Sequence, residues 1–153
     1  MDLLPPADPW ASYARTVVGI VRRGTANLVV EAAPPDHAGV WPWPTEPAVH
    51  VLTAWDPGDV RPSEAENRAH QAALEAELRE LSPDEVWSAV GVDPMSGHRE
   101  EGVAVRGLAL DAVRDLAARY RQVAIFQWTP ATWAIVGCRD GRRVDFGWTA
   151  SEA

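Results

Sequence analysis

Lysine is absent from this 153-residue chain, and all 14 of its basic residues are arginine. Without an amine side chain there is no Schiff-base catalysis and no phosphate loop of the Walker type with its lysine. A single cysteine, Cys138, rules out an internal disulfide and any multi-cysteine metal site, which makes a reducing cytoplasm the expected compartment. No apolar stretch approaches the roughly 18 to 20 residues that a membrane span needs, and MDLLPPADPW at the start lacks the basic residues and apolar run of a signal peptide. Neither a membrane nor a nucleic acid is an expected partner: a net charge of −8, from 22 acidic against 14 basic residues, repels a phosphate backbone.

Recognisable catalytic signatures are missing too. There is no G-x-S-x-G elbow, no G-x-G-x-x-G run and no EF-hand loop. His37, His50, His70 and His98 show no HExxH or paired helical spacing, so no metal and no cofactor are expected. Cys138 ends an apolar run without a partnered histidine and reads as an inert buried thiol.

What the chain has in excess is tryptophan and proline, with eight of the first and 13 of the second. Five prolines fall within residues 33–47, APPDHAGVWPWPTEP, which therefore reads as a long loop packed by its own indoles. Most of the tryptophans are expected in the core or at its edge. The loop from Val40 to Pro47 is nonetheless a candidate surface for a protein partner or for self-association.

Periodicity supplies the elements. Residues 1–9 read as a disordered lead-in, and 10–150 as one domain. TVVGIVRR and ANLVVEA around Gly24 suggest a hairpin, and AVHVLTA (48–54) a strand covered on both faces. Ser63 with Glu66 forms a capping box for a helix in which Leu74, Leu78 and Leu81 mark the buried stripe. Stepping back along that stripe reaches Gln71 and Asn67, so two amides continue the inward face and point to a polar pocket or a buried hydrogen-bond network. EVWSAVGV and EGVAVRGL flank the turn DPMSGHR. A second helix, LDAVRDLAARY, follows, and then come QVAIFQW, TWAIVGC and RVDFGW as strands. The fold class expected is α+β, a mostly antiparallel sheet of about 6–8 strands with two main helices packed on one face.

The series T-A-W-D-P at 53–57, E-N-R at 66–68, G-V-D-P at 91–94, Glu100 or Glu101, and R-Q-V-A-I-F at 121–126 resembles a bacterial family catalogued as domain of unknown function 3293. The resemblance covers roughly residues 13–130 and implies an α+β fold without lending a mechanism. In two places the chain departs from the family pattern. Asp56 stands where the pattern favours Asn, and Glu100-Glu101-Gly102 stands where it favours a Glu-Pro-Ser run.

Polar residues gather around the strand, loop and helix junction that begins at Thr53. Thr53, Asp56, Asn67, Arg68, Glu100, Glu101 and Gln122 are the candidate ligand-binding residues, in a crevice for a small polar or anionic molecule near the free N–H groups of the Ser63 helix, where Arg61 could also contribute. No catalytic residue is assigned. Asp56, Glu66, Asp93, Glu100 and Glu101 could converge as a carboxylate cluster for a Mg²⁺-dependent hydrolase or transferase, a weaker alternative, and His98 is the best general-base candidate. Gln122 could either close the pocket or satisfy the carbonyls at the end of the second helix.

Overall fold

Eight strands among the described residues form a closed barrel, in which every neighbouring pair is antiparallel. The structure, a computed structural model, describes residues 9–57 and 61–153. Among these the order is α1 (Pro9–Arg15), β1 (Val17–Val21), β2 (Leu28–Ala33), β3 (Val49–Leu52), α2 (Glu64–Glu80), β4 (Glu85–Val92), β5 (Arg99–Arg106), α3 (Leu110–Arg119), β6 (Ala124–Trp128), β7 (Trp133–Gly137) and β8 (Arg143–Glu152). Around the barrel the strands run β1, β2, β8, β7, β6, β3, β5, β4, and Val17 to Val21 of β1 pair with Val92 to Ser88 of β4 to shut the ring.

This corrects the expected α+β sheet with two helices on one face. Closure joins β1 to a strand some 70 residues later, a pairing that no local pattern encodes, and it leaves the sheet without edges. Instead of two faces there is an inside and an outside.

Two cores follow from strand alternation. Inside lie Val18, Ile20, Leu28, Val30, Val49, Val51, Ala89, Ala104 and the indoles of Trp128, Trp133 and Trp148. Outside, Leu52, Val103, Val105, Ile125, Ala134 and Val136 are covered by Leu74 and Leu78 of α2 and by Val113, Leu116 and Ala117 of α3. Strand β3 is buried on both sides as its apolar run implies. Ser63 caps α2 as the sequence indicates: its Oγ accepts from Glu66 N–H at 3.1 Å, and its hydroxyl donates to Glu66 Oε1 at 3.0 Å. Leu81 is an exception: it is the C-cap just past the last helical residue, Glu80, and it is 42 % exposed.

One end of the barrel is stoppered by indoles. Trp41 and Trp43, from the proline-rich loop, pack edge-on against each other at 5.0 Å and each against Trp128, while Trp41 also meets Trp148 and Trp43 meets Trp87. The loop is pinned to β8 by Trp148 N–H donating to His37 O and Gly39 N–H donating to Trp148 O. Gly147 makes this possible, since a Cβ there would sit 2.0 Å from the His37 carbonyl oxygen. A buried indole removes roughly 150 to 250 Å² from water, on the order of 4 to 6 kcal/mol of transfer free energy. These tryptophans are therefore structural in the first instance.

Candidate functional site

Among the described residues the opposite end of the barrel is open. There β3, β4 and the connection after α3 end or begin together, and a cavity of about 730 Å³ descends from the rim between α1 and the 93–98 turn to Val18, Val51, Phe126 and Ile135 inside. Its rim carries Thr53, Asp56, Arg61, His98, Glu100 and Gln122.

Alternation along β5 explains which carboxylate faces the cavity. Glu100 shares the inward side with Ala104, whereas Glu101 shares the outward side with Val103 and Val105. Glu101 accordingly reaches α2, where Arg68 Nε donates to its Oε2 at 3.3 Å while Arg68 Nη2 holds Glu64 at 2.6 Å. Arg68 and Glu101 thus sit on the helix side of the sheet and do not line the cavity.

The two amides of α2 brace the junction from below. Asn67 Oδ1 accepts from Asp56 N–H, and its Nδ2 donates to Asp56 Oδ1, each at 2.9 Å. Gln71 Oε1 accepts from Ala54 N–H at 2.7 Å, and the Thr53 hydroxyl donates to Glu101 O at 2.6 Å. Both amides are buried, so the sequence stripe that led to them ends in a hydrogen-bond network. That network holds Asp56 at φ +44°, a conformation that asparagine and aspartate adopt more readily than other side chains. Residues 58–60 of the Asp-Pro-Gly loop lie outside the described residues.

Held there, Asp56 faces a histidine and a second carboxylate. His98 Nε2 lies 3.2 Å from Glu100 Oε1 and 3.8 Å from Asp56 Oδ2, and one ligand atom from each of the three residues falls within 4.8 Å of the others. Burial pushes the Glu100 carboxyl above its usual range, opposed by the hydrogen bond from His98. This constellation joins position 56 to positions 98 and 100, a separation that local motif spacing does not reveal. The sequence groups Asp56 with Glu100 as candidate carboxylates and offers His98 apart from them as a general base.

The remaining candidates are engaged elsewhere. Asp93 is buried at the rim, where Arg15 Nη2 (2.9 Å), Ser12 Oγ (2.8 Å) and Met95 N–H (2.9 Å) donate to it. Chiefly through Arg15 its carboxyl is held well below the ordinary carboxylate range. It ties α1 to the 93–98 turn. Glu66 is occupied in the capping box. Gln122 lines the cavity, and its Nε2 donates to Trp55 O at 3.1 Å and to Tyr120 O, at the end of α3, at 3.4 Å. Burial raises the Cys138 thiol to about 11, which leaves no thiolate at neutral pH.

No helix among the described residues is long and apolar enough to cross a membrane. No curated protein and no solved structure matched the chain. Residues 52–125, from the last residue of β3 to the second of β6, match the model of a family described as a protein of unknown function (DUF3293), which bears out the resemblance drawn from the sequence and encloses Asp56, His98 and Glu100.

Proposed function

We propose that this barrel binds a small polar or anionic molecule in its open mouth. One observation carries the reading: a cavity of about 730 Å³ penetrates one end of the barrel, within the size range of small-molecule sites, while indoles stopper the other end. Its interior is apolar at Val18, Val51, Phe126 and Ile135, and its polar groups converge at the rim. An apolar floor with a few placed polar groups suits a ligand whose polar end meets Thr53, Asp56, His98, Glu100 and Gln122. Arg61 and Arg121 line the same mouth, and no ion pair engages either among the described residues, so an anionic group has two guanidinium partners.

The test is a thermal-shift screen of the full chain, in the presence of chelator, against nucleotides, sugar phosphates, amino acids and dicarboxylates. A member of the panel is expected to raise the melting temperature by several degrees, as a ligand at a hundredfold excess over its dissociation constant does. No shift with any of the four classes contradicts the reading.

A further inference from the structure

We infer that Asp56, His98 and Glu100 form the protein side of a binding site for one divalent first-row transition-metal ion at the barrel mouth. The argument begins with donor spacing. Ligand atoms about 2.1 Å from a common ion lie roughly 3.0 Å apart in octahedral and roughly 3.4 Å apart in tetrahedral geometry. His98 Nε2 is 3.2 Å from Glu100 Oε1 and 3.8 Å from Asp56 Oδ2, and the three donor atoms all lie within 4.8 Å of one another, so rotation of the two carboxylate side chains toward the imidazole brings all three onto one ion.

The surroundings fit a metal ligand set as well. Asn67 Nδ2 fixes Asp56 Oδ1 at 2.9 Å and leaves Oδ2 turned toward His98, the kind of outer hydrogen bond that orients a ligating carboxylate. His98, the residue before β5, and Glu100, the second residue of that strand, both face the cavity. Three protein donors leave the cavity side of the ion open to water or to an oxygen of a bound molecule. One imidazole with two carboxylates suits Mn²⁺, Fe²⁺ or Zn²⁺, whereas Mg²⁺ and Ca²⁺ favour oxygen alone.

The competing arrangement is an ion pair in which a protonated His98 is itself the counter-charge. Calorimetric titration of the chelator-stripped full chain with Zn²⁺ and with Mn²⁺, with Mg²⁺ as comparison, separates the two. One equivalent of Zn²⁺ or Mn²⁺ is expected to bind, and His98→Gln and Asp56→Asn are each expected to weaken binding at least tenfold. Paramagnetic broadening of the His98 imidazole protons by substoichiometric Mn²⁺ in the wild-type protein checks the same contact without a substitution. Absence of binding by both transition ions overturns the inference. So does binding that both variants leave intact, or broadening that spares His98. The inference adds a metal to the mouth proposed above, yet the two fail separately: a ligand held in chelator with no metal uptake sinks only this one, and metal uptake with a silent ligand panel sinks only the other.

Discussion

Asn67 grips Asp56 by both its backbone and its side chain, accepting from the Asp56 N–H and donating to Asp56 Oδ1, each at 2.9 Å. A buried helix residue thereby sets the position of a rim carboxylate one layer above it.

Asn67→Ala removes both bonds and strands the Asp56 N–H. The expected cost is about 1 to 3 kcal/mol, read as a lower urea midpoint, with faster amide hydrogen exchange at Asp56. Unchanged exchange at Asp56 would show that the loop holds its shape without the brace.

His50 gives the fold an acid sensitivity. Arg143 Nη1 donates to Gln127 Oε1 at 2.9 Å, which turns the Gln127 amide nitrogen toward His50 Nε2 at 3.1 Å. The imidazole therefore accepts at Nε2 and carries its proton on Nδ1, and burial lowers its pKa from 6.5 to about 4. Between those values the unfolded chain binds more protons than the folded one. Stability is fully present above pH 6.5 and falls as the pH drops through that window, by roughly 3 kcal/mol if the whole shift is realised. Asp93, whose carboxyl is depressed in the fold, adds its own loss below its unfolded value of 3.8. Denaturant midpoints measured from pH 7 to 4 should slope downward in the wild type and flatten in His50→Gln. Equal slopes would remove His50 from the account.

Gly102 marks where β5 crowds the end of β3. A Cβ at this position would lie 2.8 Å from the Leu52 carbonyl oxygen, a backbone atom that cannot swing aside. Gly102→Ser is expected to cost about 1 to 3 kcal/mol in this chain. A neutral or stabilising effect, measured by urea unfolding, would mean that β3 and β5 separate there without penalty.

Much of this was legible in the residues themselves. Capping and spacing fixed α2, and the same stripe singled out Asn67 and Gln71 as inward-facing amides. The strand positions followed from alternation. Closure did not, because the pairing of β1 with β4 is a matter of register between distant segments whose apolar patterns would serve an open sheet equally well. The open sheet in turn hid the mouth: with no inside, Glu100 and Glu101 could not be told apart, and His98 had no reason to meet Asp56. Helix α1 escaped notice because Pro9 and its neighbours resemble a disordered lead-in, while its place depends on Arg15 and Ser12 finding Asp93. The proline-rich loop is expected to pack on its own indoles, and Trp41 and Trp43 do meet each other; that each also packs on Trp128 depends on the closed barrel and is not encoded in local spacing.

The mouth itself is tested most directly by filling it. Ala124 lines the cavity at the start of β6 and is only half-buried, so Ala124→Trp adds bulk to the opening while sparing the deeper core. The measurement is the chelator-containing thermal-shift panel run in parallel on wild type and Ala124→Trp. The account predicts that the compound stabilising the wild type by several degrees leaves the folded variant's melting temperature unmoved. An equal shift in both proteins would place the ligand elsewhere and contradict it.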